Sequence, residues 1–375
     1  MIESTRGTYN FSAGPAMLPG EVIERAKRDI GDIFGSGMGV MELSHRGREF
    51  DRITDETEAL VRECAGVPDG YDVFWMQGGA TSQCYLVPAN LLPEGRTADY
   101  FQTGKWANDS IKDAAHYGAA HVCGSSKDAN YSYIPMGSEV SHSDNPAYVH
   151  FTSNNTIMGT EFHAEPAAPM NADGGAVPLV CDASSDIYSR PIDVSRYGLI
   201  YAGAQKNLGP AGVTLLIARK SLIEEPVRSL PDMMQFCKHA AKEGRFNTPP
   251  TFGVYLMGQV FKWILAEGGL DAMRERNAEK AAVLYDFLDS QDFYRPHARV
   301  DSRSFMNITF KCPAEDLDKQ FIAEATAKGL DGLKGHRSVG GMRASMYNAF
   351  PKAGAESLVA FMKDFAQQHA AAASA

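Results

Sequence analysis

Short apolar runs alternate with amphipathic stretches from about residue 70 to residue 265. This alternation predicts strands separated by helices, and connections long enough to hold a helix favour parallel strand pairing. Helices are predicted, for example, over residues 82–91 and 106–116. The predicted strands are residues 72–76, 98–103, 120–123, 148–153, 179–183, 199–202 and 213–218. We therefore expect a doubly wound α/β domain around a seven-stranded, mainly parallel sheet.

The pattern changes after residue 252. Two long helical stretches, 253–267 and 270–290, precede a strand at 304–311 and helices at 315–328 and 356–369. We expect a large domain over residues 21–265 and a smaller α+β domain over 266–375. Residues 1–20 hold turn residues and are predicted to pack on both domains, and the alanine-rich end, 370–375, is predicted to be frayed.

Charge and cysteine spacing exclude several classes of protein. The formal charge of −10 argues against general binding to nucleic acid or to anionic membranes. No apolar run approaches the roughly 18 residues that span a bilayer, and the N-terminus lacks the apolar core of a signal peptide. The six cysteines form no C-x-x-C pair and no cysteine–histidine group at zinc spacing. These features predict a reduced cytoplasmic protein without a metal.

Two charged residues follow predicted strands. Lys206 lies between an apolar run and a turn rich in glycine and proline, and Asp182 ends the preceding apolar run. At the carboxyl edge of a parallel sheet, a partly desolvated lysine can become a nucleophile, and a carboxylate can pair with a protonated ring nitrogen of a cofactor. Taken singly, Lys206 is more often a solvated turn lysine, and Asp182 is more often a turn or helix-capping aspartate.

Residues 77–83, after the first predicted strand, combine two glycines with a helix start. The free N–H groups of Ala80 and Thr81 would form a phosphate cradle there. The segment matches neither the G-x-x-x-x-G-K-[ST] loop nor G-x-G-x-x-G, and a plain tight turn is the alternative. Trp106 could stack on a flat ligand or belong to the core, and Thr156 could hydrogen-bond a ligand oxygen or be an ordinary loop residue.

Two basic clusters stand out in an acidic chain. His45 and Arg46 form one, and His336, Arg337 and Arg343 form the other. Guanidinium groups bind carboxylate and phosphate in a bidentate way, so such a set suits a substrate with both groups. Solvated surface arginines are the alternative interpretation of either cluster.

Taken jointly, these segments resemble the phosphoserine aminotransferases, class V members of the fold type I pyridoxal-phosphate (aspartate aminotransferase-like) superfamily. The resemblance covers nearly the whole chain. It rests on residues 10–19, 42–50, 77–83, 205–212, 247–251 and 335–345. The first two segments and the last are the most particular to this family.

The resemblance implies one pyridoxal 5′-phosphate per subunit, bound as a Schiff base to Lys206, which also moves the substrate proton. Other cofactor contacts are implied for Asp182 at the ring nitrogen, Trp106 on the ring and Thr156 at the 3-oxygen. The implied phosphate ligands are Ala80, Thr81 and Gln205, with Asn247 and Thr248 from the partner of a homodimer. The implied substrate-binding residues are Ser12, His45, Arg46, His336, Arg337 and Arg343. Judged by residue type alone, Asn247 and Thr248 would only start a helix, with Thr248 as its cap.

The activity implied by the resemblance is transfer of an amino group from O-phospho-L-serine to 2-oxoglutarate in L-serine biosynthesis. The resemblance extends to 4-phosphohydroxy-L-threonine in pyridoxine biosynthesis as a further substrate. Thr81 replaces an arginine of some relatives, and Met342 stands where small residues or cysteine are usual. The alternatives are another fold type I enzyme with a small acid substrate, such as an alanine–glyoxylate aminotransferase or a desulfurase, and a catalytically silent binding protein.

Overall fold

A seven-stranded sheet forms the centre of the computed structural model, which describes residues 7–172 and 174–369. The predictions for residues 1–6 and for the tail 370–375 lie outside the described residues. The strands are β1 (Tyr9–Asn10), β2 (Tyr71–Met76), β3 (Thr97–Gln102), β4 (Ala119–Ser125), β5 (Val149–Thr152), β6 (Asn154–Asn155), β7 (Thr160–Glu161), β8 (Leu179–Asp182), β9 (Tyr197–Gly203), β10 (Thr214–Arg219), β11 (Arg295–Pro296), β12 (Asn307–Lys311), β13 (Leu330–Asp331) and β14 (Met342–Ser345). The helices are α1 (Gly20–Asp29), α2 (Arg48–Ala65), α3 (Gly79–Leu91), α4 (Lys105–Ala114), α5 (Lys220–Ile223), α6 (Phe236–Ala240), α7 (Thr251–Ala266), α8 (Gly269–Asp289), α9 (Glu315–Ala327) and α10 (Lys352–His369).

The central sheet has the strand order β2-β10-β9-β8-β5-β3-β4. Its strands pair in parallel except β10, which is antiparallel to both β2 and β9. All seven predicted strands are confirmed, with ends that differ by at most two residues. Every residue of β8 and β9 is buried, which explains why these strands show continuous apolar runs rather than an alternating pattern.

The topology brings the residues that follow several strands to one edge of the sheet. The strands β2, β3, β5, β8 and β9 all point the same way, so their carboxyl ends lie side by side. Asp182 is paired with Thr152 on one side and with Tyr201 on the other. This edge is where ligands bind in open α/β sheets.

A second apolar core lies around the antiparallel sheet β11-β12-β14 and the helices α8, α9 and α10. Aromatic rings fill much of it, with Phe321 in edge contacts with Phe310 and Phe365. The helix α8 contributes Met273 to the first core and Leu284 to the second. Since α8 packs on both cores, the cores alone do not define where one domain ends. The domain boundaries at residues 20 and 265 therefore stay predictions.

The N-terminal segment contacts both cores. β1 pairs in parallel with β13, and Phe11 is fully buried in the second core. Further along, the N–H of Ala16 donates to the carbonyl of Gln205, 2.9 Å away, next to the central sheet.

Some local predictions need correction. The helices α1 and α2 were not predicted, although each buries one face, as Val22 and Phe50 show. The strand predicted at 304–311 begins only at Asn307, because the Ser304 hydroxyl accepts the N–H groups of Met306 and Asn307 and turns the chain. Among the described residues, no helix combines the length and apolar character needed to cross a membrane.

Candidate active site

Lys206 lies in the turn between β9 and β10, at the carboxyl edge of the sheet. Its Nζ atom donates to Thr156 Oγ1 at 2.6 Å. The pKa of Lys206 is lowered to about 8, chiefly by burial; Asp182 opposes this shift, and the positive charge of Arg343 contributes to it. Because this pKa is closer to neutral pH than that of a free lysine, a larger fraction of the amine is neutral and can act as a nucleophile and proton acceptor.

Asp182 is 7% exposed at the end of β8. Its Oδ1 atom accepts from both the N–H of Ser184, at 3.1 Å, and the Ser184 hydroxyl, at 2.6 Å. The Ser184 hydroxyl also accepts from the N–H of Gly203, at 3.1 Å, which ties the carboxylate to β9. Burial raises the pKa of Asp182, while the Ser184 hydrogen bonds and the Lys206 charge lower it. The carboxylate is therefore held in one orientation beside the lysine.

Thr156 contacts Lys206, and Trp106 packs near the residue that follows Thr156 in the chain. The Thr156 carbonyl accepts from Arg343 Nη1 at 3.3 Å, so this residue contacts both the lysine and an arginine. Trp106 packs against a small apolar group that includes Ile157 and Val339. Its buried Nε1 atom has no hydrogen-bond partner in the part of the chain that the structure describes. The ring is thus a fixed apolar surface at the start of α4.

The glycine-rich loop after β2 leads directly into α3. Gly78 has φ 96° and precedes the first helical residue, a conformation that favours glycine. The Ser82 hydroxyl donates to the Gly79 carbonyl at 2.9 Å and fixes the first turn. Ala80 and Thr81 lie in this turn, where N–H groups lack partners within the helix and attract anions.

The N-terminal segment lies along the lysine. A Cβ atom added at Gly14 would lie 3.3 Å from Lys206 Cγ and 3.4 Å from Gln205 Cγ. Ser12, two residues earlier, is half-buried, and its N–H donates to Asn10 Oδ1 at 2.9 Å. The structure therefore brings the segment that contains Ser12 beside Gln205 and Lys206.

Several cations influence one another near Arg343. Burial lowers the pKa of His336, and the charges of Arg343, Arg337 and Lys105 lower it further, which shows that the four side chains share one electrostatic environment. The Arg343 Nε atom is buried, and the described residues offer it no partner. Lys105, which the sequence analysis did not single out, lies with its Nζ atom 5.0 Å from the Trp106 ring centre. A ligand with two negative charges could form ion pairs with these side chains.

His45 and Arg46 lie elsewhere within the single chain. They line a depression of about 380 Å³ together with Asp51, Lys242 and Arg245 and further residues of that loop. None of the residues around Lys206 lines this depression. The His45 Nε2 atom is buried and has no partner among the described residues.

Asn247 and Thr248 lie beside the glycine-rich loop of their own chain. Asn247 Nδ2 donates to Gln77 Oε1 at 2.8 Å, and Gln77 Nε2 donates to the Thr248 carbonyl at 3.0 Å. The helix α7 begins only at Thr251, so Thr248 is not its cap, and that interpretation is wrong. The residue before a proline is disfavoured in the α conformation, so Pro249 and Pro250 keep Thr248 and Pro249 out of the helix.

Sequence reasoning missed three residues that position the site. Ser184 follows Asp182 by two residues, a spacing typical of side-chain turns, so a local signal existed. Asn207 Oδ1 accepts from the N–H of Asn348 at 3.0 Å, and its Nδ2 atom donates to the Ile187 carbonyl at 3.0 Å. Asn207 and Asn348 are far apart in the chain, so only the fold could show that they meet.

Comparison with known proteins gives a consistent result. The family model described as class-V aminotransferase matches residues 8–358. A phosphoserine aminotransferase from Lysinibacillus sphaericus is 48% identical over 97% of this chain and 99% of its own length. The solved phosphoserine aminotransferase from Bacillus circulans subsp. alkalophilus is 47% identical, with a TM-score of 0.93 over 96% of this chain and 99% of that one. A PLP-bound phosphoserine aminotransferase from Trichomonas vaginalis is 36% identical, with a TM-score of 0.90 over 95% and 99% of the two chains.

Proposed function

The chain belongs to the phosphoserine aminotransferase family of the class-V aminotransferases, and from this premise we propose its reaction and the roles of its residues. The reaction is transfer of the amino group of O-phospho-L-serine to 2-oxoglutarate, giving 3-phosphohydroxypyruvate and L-glutamate, in L-serine biosynthesis. The cofactor is pyridoxal 5′-phosphate, held as a Schiff base on Lys206. The observation that carries the proposal is the half-buried Lys206 amine, which hydrogen-bonds Thr156 and lies in the fields of Asp182 and Arg343.

The residues present fit this cofactor. Asp182 is a buried carboxylate whose Oδ1 atom alone takes the Ser184 hydrogen bonds, so its other oxygen suits a protonated ring nitrogen. Trp106 offers a fixed apolar ring, and the first turn of α3 offers N–H groups to a phosphate. When bound, the cofactor supplies an electron sink for the electrons left at the substrate Cα after proton removal.

Lys206 is the group that moves the proton. Its neutral Nζ atom takes a proton from the substrate Cα and returns it later in the half-reaction. The Thr156 hydroxyl restricts the position of Nζ, and Ser184 fixes the carboxylate opposite. Asp182, as an anion, keeps the ring nitrogen protonated throughout.

The cations select the substrates. Arg343 binds the α-carboxylate, and Ser12, His336 and Arg337 contact the rest of the substrate, including its distal phosphate or carboxylate. Both amino acids of this reaction carry a second anion, so one pocket serves the two half-reactions in turn. Ping-pong kinetics follow from that arrangement.

A homodimer completes the proposed site. Thr248 is exposed and Asn247 half-buried, next to Arg245, which itself lines the depression with His45 and Arg46. Asn247 and Thr248 thus follow closely in the chain after a residue of that depression. We propose that Asn247 and Thr248 bind the cofactor phosphate of the partner subunit, alongside Ala80, Thr81 and Gln205 of that subunit, and that His45 and Arg46 reach the substrate anion by the same route.

Two further expectations accompany the proposal. A cytoplasmic location is consistent with six free cysteines. Amination in pyridoxine biosynthesis, with 4-phosphohydroxy-L-threonine as the amino acid, stays a prediction.

A visible absorption spectrum tests the function directly. The purified protein is expected to show the band of a lysine-bound cofactor, which O-phospho-L-serine bleaches and L-alanine leaves unchanged when no acceptor is present. The Lys206→Ala protein should lack that band, and Lys112→Ala, which changes an exposed lysine of α4, should keep it. Equal bleaching by alanine would refute the requirement for a distal anion. A parent protein without a band, even after addition of the cofactor, would refute the proposed chemistry.

A further inference from the structure

A mixed group of potential metal ligands lies away from the active site, near the edge of the central sheet. Asp99 on β3, Cys123 on β4 and His142 in the following loop each bring one ligand atom within 4.8 Å of the others. Asp99 is fully buried, Cys123 is 2% exposed, and the His142 side chain is 21% exposed. We propose that these three side chains bind a zinc ion, with a water molecule as the fourth ligand.

An irregularity in the pairing of β3 and β4 determines the position of the Cys123 sulfur. β3 pairs with β4 through Tyr100 and Val122, and then through Phe101 and Gly124, so Cys123 is the extra residue of a β-bulge. Bulges re-aim a side chain relative to the regular alternation of a strand. The bulge is therefore a structural reason for the position of this thiol.

The loop that carries His142 is fixed to the same strand. The N–H of Ser141 donates to the Cys123 carbonyl at 2.7 Å, and the Ser141 carbonyl is 2.8 Å from His121 Nε2. His142 Nδ1 is 2.8 Å from Asp99 Oδ2. Ligand atoms of a tetrahedral zinc site lie roughly 3.3–3.8 Å apart, so shifts of about 1 Å suffice to form one.

Asp99 is also held as a metal-binding carboxylate usually is. Its Oδ1 atom accepts from the Ser143 hydroxyl at 2.5 Å, and its Oδ2 atom accepts from the Ser143 N–H at 3.1 Å and lies 2.8 Å from His142 Nδ1. When the ion binds, Oδ2 becomes a ligand while the bond from Ser143 remains. Such supporting hydrogen bonds orient metal ligands and raise affinity.

The donor set suits zinc. One thiolate, one imidazole and one carboxylate leave a tetrahedral ion with an open position, and His142 gives access from solvent. Binding removes one proton, from Cys123 Sγ, and moves the imidazole proton of His142 from Nδ1 to Nε2.

The site is separate from the proposed catalytic centre. Asp99 lies near the amino end of β3, whereas Trp106 follows its carboxyl end. A bound ion would fasten the edge strand β4 to the loop at residues 141–143. Zinc binding at this site therefore does not depend on the aminotransferase reaction, and each can be tested without the other.

A cobalt titration of the tag-free, chelator-treated holoenzyme tests the site. Tetrahedral Co²⁺ absorbs at longer wavelengths than the cofactor, so its bands can be followed directly. We expect one Co²⁺ per chain, displaced by one Zn²⁺, with release of one proton per ion bound. Cys123→Ala and His142→Ala should each weaken binding by more than about 100-fold, and Ser143→Ala by about 10- to 100-fold.

Two matched variants serve as controls. His116→Ala removes an exposed histidine and Cys237→Ala a half-buried cysteine, and both should bind cobalt as the parent does. If Cys123→Ala fails to fold, the result for His142→Ala decides whether the site exists. The His142 side chain is partly exposed, so its removal should disturb folding less. The absence of stoichiometric binding in the parent, or binding that survives His142→Ala, would overturn the proposal.

Discussion

At the scale of single residues, burial and opposing charges together set the pKa of Lys206. Burial and Arg343 lower the pKa of Lys206, and Asp182 counteracts them. The same Arg343 holds the Thr156 carbonyl, so the groups that tune the amine also fix its hydrogen-bond partner. The reactivity of Lys206 is thus a property of its neighbours.

The first prediction concerns the pH dependence of cofactor capture. Only neutral Lys206 attacks an aldehyde, so uptake of pyridoxal phosphate by the apoenzyme should accelerate as the pH rises through about 8. Asp182→Asn removes an anion that favours the ammonium form and should move the midpoint to lower pH. Arg343→Gln removes a cation and should move it to higher pH. Stopped-flow absorbance measures these midpoints, and shifts in the reverse directions would contradict the assignment.

The second prediction concerns Lys105. This residue lies in the electrostatic environment of His336 and next to Trp106, but it also pairs with Asp109 on its own helix. Because its side chain is 43% exposed, its contribution is screened. Lys105→Met should raise the KM for O-phospho-L-serine by about three- to tenfold and change kcat little. Lys112→Met is the control, and equal KM values for the two variants would remove Lys105 from the substrate site.

At the scale of elements, the helices α2 and α7 approach each other closely. A Cβ atom added at Gly258 of α7 would lie 2.5 Å from Thr57 Oγ1 and 3.5 Å from Thr57 Cβ on α2. Thr57 is 1% exposed and cannot move away easily. The small residue therefore sets the spacing of two helices that pack against the central sheet.

This contact gives the third prediction. Gly258→Ala should lower the free energy of unfolding, because a steric cost of about 1–3 kcal/mol exceeds the gain of about 1 kcal/mol in helix propensity. In a Thr57→Ala background the hydroxyl is gone, and the same change should be stabilising. Urea unfolding of the four proteins of the cycle measures both effects. The same destabilisation in both backgrounds would show that Thr57 is not the cause.

At the scale of the whole molecule, the site draws on both cores and on both ends of the chain. Segment 12–16 lies along Lys206, and Arg343 enters from the second sheet. The surface with Asn247 and His45 remains beside the site rather than within it. A second copy of the chain is the proposed source of the missing contacts.

The fourth prediction tests this arrangement with mixed dimers. One subunit carries Lys206→Ala, and the other carries Asn247→Ala with Thr248→Ala. If the pair acts across the interface, one site of each mixed dimer has all native residues, and activity should recover to about half of the parent level per dimer. If Asn247 acts only on its own chain, as its contact with Gln77 would allow, mixing should restore nothing. Steady-state assays of co-expressed, separately tagged subunits distinguish the two results.

The local pattern of the chain determined the strands, their mainly parallel order and the placement of Lys206 and Asp182 at one edge. Apolar periodicity and the direction of parallel strands depend on near neighbours, so the sequence suffices for them. The helices α1 and α2 were missed although their buried residues recur at helical spacing, as Phe50, Ile53, Thr57 and Val61 do in α2, so a local signal for them existed.

Only the tertiary structure decided which distant residues meet. It joined Asn207 to Asn348, brought Lys105 towards His336, and left His45 outside the crevice of its own chain. The bulge that places Cys123 beside Asp99 depends on strand register, which no local pattern specifies. These contacts arise from the packing of whole elements, and sequence distance carries no information about them.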